Sequence, residues 1–231
     1  MCGRYAITSP LEAVIKAFSV DGAGLNLAPR YNGAPSQELP VVRNTRGRGR
    51  ELTYMRWGLV PSWSKGPDTR FSMINARSET VASKPAYRGP FRNRRCLVPA
   101  NGFYEWKQTA DGKQPYFITL GSGGLFAFAG LWDHWQGPDG DEITSFTVMV
   151  TSANEVVRPI HDRMPVILGP DDYLSWLGEA GAPSRTKLAI MLRPYPAELM
   201  RAHPVGREVN SPANDSADLL EPVAAEPGGL L

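Results

Sequence analysis

Cys2 stands directly behind the initiator methionine, in MCGRY, and is one of two cysteines in a chain of 231 residues. Methionine aminopeptidases remove Met1 when the next side chain is small, and cysteine qualifies. The mature chain then begins with an amine and a thiol on adjacent carbons, a group that no internal residue can supply. A free α-amine titrates at about 7.7–8.0 and a thiol at about 8.5, so both are partly nucleophilic near neutral pH. Arg4 nearby is expected to favour the thiolate further. Such a pair meets an aldehyde in two steps: the amine forms an imine, then the thiol closes onto it as a five-membered thiazolidine. One residue carries both nucleophiles, which gives the second step a very high effective concentration. Gly3 leaves room beside the terminus for a ligand. The plain alternative is an incidental small residue. The chemistry requires that the fold leave this terminus open and bring acid–base groups next to it.

GFYEWK (102–107) is the second stretch with chemical content. In a strand, Phe103 and Glu105 share one face and Tyr104 and Trp106 the other. Glu105 is then either an edge carboxylate, the commoner outcome, or a desolvated one whose pKa rises towards general acid–base use. PIHDRMPVIL (159–168) sets His161 beside Asp162 and Arg163, just before an apolar strand. With three histidines in the chain (His134, His161, His203), acid–base work at neutral pH falls most naturally to His161, unless it is a structural histidine. INARSET offers Asn75 as an amide donor and Arg77 as a phosphate ligand, or an ordinary helix cap. Trp57, Trp63, Trp106, Trp132 and Trp135 lie in segments that carry or adjoin basic residues. Aromatic platforms among arginines suit single-stranded nucleic acid, although core packing is the default for tryptophan.

The bulk numbers bound these readings. Mean hydropathy of −0.28 and 21% charged residues describe a globular chain with enough length for a sizeable core. No apolar run approaches the roughly 20 residues of a membrane span, and Ser9, Pro10 and Glu12 interrupt any signal-peptide core. Two cysteines make no disulfide framework and fit a reducing cytoplasm. Together with three histidines they leave little material for a transition-metal site, so no metal or other cofactor is expected. The net charge of +2 hides a divide: residues 1–100 carry 16 basic against 6 acidic side chains, and residues 101–231 carry 9 against 17. A basic half fits a polyanion-binding surface as readily as a segregated solvated one.

The elements that must position these groups read as strands with short helices. SPLEAVIKAF predicts a helix with Ser9 as N-cap, Pro10 at the first position and Glu12 closing a capping box. Residues 19–50 read as a Gly-, Pro- and Asn-rich stretch ending in the exposed basic loop RNTRGRGR. ELTYMRWGLVPSW predicts a strand, INARSETVAS the start of a helix ended by Lys84-Pro85, and RCLVPANGFYEWKQTADGKQPYFITL two strands joined at Asp111-Gly112. LFAFAGLWDHW, ITSFTVMVT and MPVIL continue the strand series, and PDDYLSWLG and SRTKLAIML are short helices. The expected fold is α+β, a single domain over residues 1–223. Its mostly antiparallel sheet closes towards a barrel with flanking short helices, and residues 224–231 form a tail.

Taken in order, MCGRY, PRYNGAPSQ, RWGLVPSW, INARSET, RRCLVPANGFYEW and IHDRMPVIL resemble the successive blocks of the SRAP domain. This is the family of SOS response-associated peptidases and abasic-site shielding proteins, and the resemblance runs from Cys2 to about Val223. It implies capture of abasic sites in single-stranded DNA as a thiazolidine on the processed Cys2. By this resemblance Glu105 assists ring opening and imine formation, His161 protonates or holds the sugar oxygen, and Asn75 positions the terminus and sugar. It further implies removal of the initiator methionine, the source of the peptidase and hydrolase labels. Arg4, Arg77, Lys84 and Arg163 correspond to phosphate contacts, Trp106 and Thr151 to the DNA groove, and Trp63 to an aromatic wedge. Some members carry two adjacent tryptophans at the wedge, whereas here Ser64 follows Trp63. The implied protein is a cytoplasmic monomer, nucleoid-associated on damaged DNA, with no membrane partner.

Two rivals remain at this stage. An N-terminal-cysteine amidohydrolase of the glutamine-amidotransferase type also begins Met-Cys-Gly and uses its terminal amine as a base. A passive single-strand binder accounts for the charge and the tryptophans but leaves Cys2, Glu105 and His161 without a role.

Overall fold

The computed structural model describes residues 2–21, 24–45, 48–67, 73–179 and 181–224. In chain order the strands are β1 (Arg4–Ile7), β2 (Arg30–Gly33), β3 (Glu38–Thr45), β4 (Gly49–Trp57), β5 (Asn75–Arg77), β6 (Arg95–Ala100) and β7 (Gly102–Thr109). They continue with β8 (Gly112–Leu120), β9 (Phe126–Gln136), β10 (Glu142–Ser152), β11 (Arg163–Pro165), β12 (Ile167–Leu168) and β13 (Met200–Pro204). The α-helices are α1 (Leu11–Phe18), α2 (Pro85–Asn93), α3 (Pro170–Leu177) and α4 (Arg185–Met191).

RCLVPA and FAFAGL are apolar almost without alternation, the mark of strands covered on both faces. β6 is indeed buried at every position, as is the first half of β9. The cause is ring closure. β10, β4, β3, β6 and β9 pair in that order, and β9 pairs back to β10, giving a closed five-stranded barrel. Every pairing in the ring is antiparallel except β4 with β10. Helices α2 and α3 cover the outside of β6, and α2 also covers β9. A second, antiparallel sheet runs β13-β8-β7-β1-β2. Tyr5 of β1 joins it to the barrel by packing edge-on against Trp57 (centroids 5.1 Å apart) and Phe128 (5.7 Å). This is the expected α+β, mostly antiparallel barrel with short flanking helices.

Local signals lost to tertiary ones in several places. Helix α1 starts at Leu11, and its cap position is Pro10 with no side-chain cap bond. Ser9 is instead held by Asn101, whose Oδ1 accepts from the Ser9 and Thr8 amides (3.0 and 2.8 Å) and whose Nδ2 donates to Ser9 Oγ (2.9 Å). INARSETVAS does not begin a helix: Asn75–Arg77 lie parallel to Val148–Val150 as β5, and the helix begins at Pro85. Asn101 also divides RCLVPANGFYEWKQT into two strands in different sheets. β2 and β3 emerge from the Gly-, Pro- and Asn-rich stretch 19–50, and of RNTRGRGR, read as a loop, only residues 46–47 lie outside the described residues while its flanks pair as β3 and β4. The hairpin at Asp111-Gly112 forms as read, closing on Thr109 opposite Gly112. Of the expected tail, residues 225–231 lie outside the described residues. Among the described residues no helix is long and apolar enough to cross a membrane.

Candidate active site

Strand register gathers the site. The second half of β10 is flanked by two short strands, β5 on one side and β11 on the other, with Val148 opposite Asn75, Val150 opposite Arg77 and Ser152 opposite Arg163. Asn75, Arg77, Thr151 and Arg163 thereby meet at one end of the barrel. β1 arrives from the second sheet with Arg4 opposite Tyr104, so Cys2, two residues earlier, falls beside the Glu105 end of β7. One hydrogen bond ties the two sheets together here. Asn75 Nδ2 donates to the Cys2 carbonyl at 2.8 Å. The Tyr87 hydroxyl of α2 donates to the Asn75 carbonyl (3.2 Å), fixing β5 from behind. Asn75 Oδ1 is buried and has no hydrogen-bond partner among the described residues, an acceptor left over for something that enters.

The expectation of an open terminus is corrected: Cys2 is fully buried. The sequence still carries Met1, so the Cys2 nitrogen is a peptide nitrogen here and the aminothiol exists only after processing. Burial pushes the Cys2 thiol far above its ordinary range, the Glu105 charge adds to this, and the amino-terminal charge and a backbone bond at Arg4 oppose it. The predicted help from Arg4 is absent for a clear reason. Its guanidinium donates to Asn32 Oδ1 (2.9 Å), the Val209 carbonyl (2.8 Å) and the Asn210 carbonyl (3.2 Å), and only its backbone carbonyl faces Sγ (3.9 Å). The thiol at neutral pH is protonated.

A carboxyl with a raised pKa interacts with the thiol. Glu105 is 2% exposed, because β7 is paired on both sides, by β1 and β8, and the edge reading is corrected. Burial lifts its carboxyl to about 7, opposed by the amino-terminal charge and by a backbone bond at Trp106, and reinforced by Asp162. A carboxyl at about 7 is half protonated at neutral pH and can both take and give a proton. His161 is lowered by burial first, then by the amino-terminal charge, so it is neutral at pH 7. Its Nδ1 accepts from the Arg163 amide (3.0 Å) while Asp162 Oδ1 stands 2.9 Å from the same nitrogen, two contacts that ask for opposite tautomers. The amide is fixed by β11 and Asp162 is largely in water, so the proton of the neutral ring sits on Nε2.

The remaining predicted residues separate. Arg77 is exposed and has no carboxylate partner among the described residues. Arg163 is paired with Glu79, and Thr151 is buried in the pairing of β10 with β11. Trp106 donates from Nε1 to Asn210 Oδ1 (2.8 Å), so the residue that holds Arg4 also holds this indole. Lys84 is exposed just before α2, and Trp63 is 66% exposed on a neighbouring cleft. Among the described residues no cluster of His, Cys, Asp or Glu could hold a metal ion. Sequence reasoning missed Asn32, Glu79 and Asn210. The first two lie inside the quoted blocks PRYNGAPSQ and INARSET, but Asn32 meets Arg4 across 28 residues and its carbonyl acceptors across 177 or more, and Glu79 meets its partner across 84, beyond any local signal.

The family profile of the SOS response associated peptidase (SRAP) matches residues 1–212. The chain belongs to the SRAP family. It is 41% identical over 227 residues to the abasic site processing protein YoqW of Bacillus subtilis (strain 168), covering 96% of this chain and 99% of that one. It is 37% identical over 226 residues to the abasic site processing protein HMCES of Gallus gallus, covering 84% of this chain and 66% of that one. A crystal structure of a Bacteroides thetaiotaomicron protein shares the fold with a TM-score of 0.86 at 24% identity, over 96% of this chain and 100% of the other. A Bordetella bronchiseptica protein follows at TM-score 0.77 and 28% identity, over 89% and 100%.

Proposed function

We propose that this chain processes abasic sites in single-stranded DNA by capturing them covalently on Cys2, which is buried in the chain that retains Met1 and is opened to the strand when Met1 is removed. The observation that carries the reading is the bond from Asn75 Nδ2 to the Cys2 carbonyl (2.8 Å) beside a carboxyl held at about 7. Relatives that align end to end with this chain are named for abasic-site processing, and supply the substrate class.

The ring-opened sugar of an abasic site offers an aldehyde at C1′. The Cys2 amine, deprotonated by Glu105, adds to C1′ and forms a carbinolamine. Glu105 returns the proton to the C1′ hydroxyl, which leaves as water, and the C1′–N imine remains. The Cys2 sulfur then bonds to C1′ while its proton passes to nitrogen through Glu105, and the thiazolidine is complete with one water lost overall. Asn75 fixes the Cys2 carbonyl and so the direction of the amine, and its free Oδ1 accepts from the sugar. The Nε2–H of His161 donates to the sugar oxygen. Arg77, Arg163, Lys84 and Arg4 supply the positive rim for phosphates, with Trp106 and Thr151 along the groove. An imine left unclosed is the species from which β-elimination nicks a strand, so prompt closure by the thiol favours shielding over cleavage.

A denaturing gel tests this. Processed protein is incubated with single-stranded DNA with and without an abasic site. A lesion-dependent, denaturation-resistant band that vanishes in Cys2→Ala supports the reading. Its absence with intact binding leaves a passive binder, and glutaminase activity in its place identifies the amidohydrolase.

A further inference from the structure

Next to the Cys2 site lies a basic cleft that Trp63 shares with arginines to which neither the chemistry above nor the sequence blocks assign a role. It has a volume of about 570 Å³ and is lined by Trp63, Arg88, Pro90, Arg92, Arg94 and Asp133 among others. We infer that this cleft is a second nucleic-acid subsite, in which Arg88 and Arg92 take successive phosphates of the strand that leaves the Cys2 site past Trp63. The inference rests on the single-stranded DNA reading and extends it to residues outside the capture chemistry.

Four observations carry it. Between Glu79 and Glu105 the sequence has no acidic residue and five basic ones, Lys84, Arg88, Arg92, Arg94 and Arg95. The fold neutralises two of them. Arg94 pairs with the buried Asp133 (3.2 Å), whose carboxylate also accepts from the Ser62 and His134 amides (3.1 and 2.8 Å), so Asp133 is spent on shaping the Trp63 loop. Arg95 is buried and donates to the Trp176, Phe91 and Arg92 carbonyls. Arg88 and Arg92 remain exposed, with no carboxylate partner among the described residues. They sit four apart on α2, on one face, where like charges repel and weaken the helix unless an anion lies between them.

Second, the same cleft is lined by an indole exposed to 66%, the largest exposed aromatic surface among the described residues. An aromatic face among guanidinium groups is how proteins hold single strands without reading sequence, by stacking bases and tracking phosphates. Third, the cleft is within reach of the captured sugar. Asp133 is paired with Ser145 and Asn75 with Val148, so three residues of β10, about 10 Å, separate the two sites along the strand. Fourth, α2 belongs to both. Its Tyr87 bonds the Asn75 carbonyl, and the next residue, Arg88, lines the cleft.

The test uses the full chain and DNA without a lesion, so that no covalent step enters. Affinity is measured by fluorescence anisotropy over a range of salt, for an oligonucleotide long enough to run past Trp63 and for one confined to the Cys2 site. In the double variant Arg88→Gln/Arg92→Gln the affinity for the long strand falls tenfold or more. Its salt dependence flattens by about 1.4 in log–log slope, at about 0.7 per phosphate contact on a single strand. Short-strand affinity changes less than twofold. Removing a repelling pair does not unfold α2, and an unchanged melting temperature verifies this. Equal affinities and slopes for the two proteins on the long strand overturn the inference. So does loss of binding to an acidic peptide with DNA binding intact, which makes the cleft a protein-docking site. Because no lesion is present, these outcomes do not depend on whether Cys2 forms a cross-link.

Discussion

Cys2 and Cys96 are both free, fully buried thiols, and burial pushes both far above the ordinary range. Their surroundings differ in kind. Cys96 belongs to the barrel wall: its backbone carbonyl accepts from Trp176 Nε1 (2.8 Å), and a Cβ added at Gly130 would stand 2.8 Å from its sulfur. It has packing, and among the described residues the one charged group that shifts its pKa is Arg43. Cys2 sits at the seam between barrel and second sheet, with an amide on its carbonyl and a carboxyl of about 7 next to it. Burial by itself silences a thiol. A buried partner that titrates near the working pH supplies a route for the proton, and only the seam has one.

The largest expected effect separates the two cysteines outright. Cys2→Ala abolishes the lesion-dependent covalent band, whereas Cys96→Ala keeps the capture rate within twofold of the parent; equal losses in the two variants would show that the seam has no special chemistry. Glu105→Gln removes the proton route and slows single-turnover capture at pH 7 by about a hundredfold, the usual worth of a positioned acid–base group. Asn75→Ala leaves the terminus free to swing and slows capture by roughly tenfold through lost orientation. Loss of Asn75 with no change in rate breaks the positioning argument.

A further effect concerns stability rather than rate. The fold raises Glu105 from 4.5 to about 7, so it favours the protonated form. This contribution is complete below about pH 4.5 and is lost as pH rises through 7, with a ceiling of roughly 3 kcal/mol from the size of the shift. Glu105→Gln, in the chain that retains Met1, therefore melts several degrees above the parent at pH 8 and close to it at pH 4.5. A larger difference at the acidic end would reverse the assignment. Smallest of all, Cys96→Ala costs about 1–2 kcal/mol in chemical unfolding, the price of one lost sulfur in a closed barrel.

How much of this the residues announced depended on range. The strand series, the Asp111-Gly112 hairpin and the short terminal helices are local patterns and were legible. So was the alternation in GFYEWK that puts Glu105 and Phe103 on one face. Its burial was not, because strand order decides whether β7 lies at an edge, and β1 reaches it across about a hundred residues of chain. The Ser9 cap failed for the same reason, outbid by the distant Asn101. Arg4 was misjudged because its carbonyl partners lie more than 200 residues away. Cys2, Asn75, Glu105 and His161 were picked out by residue type and by blocks that resemble a family; the bond that joins the first two becomes visible only when β5 is seen as a strand.

The segment around Val209–Asp215 bears on how the chain is made. It receives the Arg4 guanidinium, holds the Asn32 amide through the Val209, Ser211 and Asn214 carbonyls, and caps the Tyr31 and Asn32 amides with Asp215. The first strand is thus locked by residues made about two hundred positions after it. At roughly 5–20 residues per second, translation keeps that lock open for about 10–40 s after the amino terminus emerges. Over that interval the Arg4 guanidinium and the Tyr31 and Asn32 amides lack the partners that hold them in the folded chain.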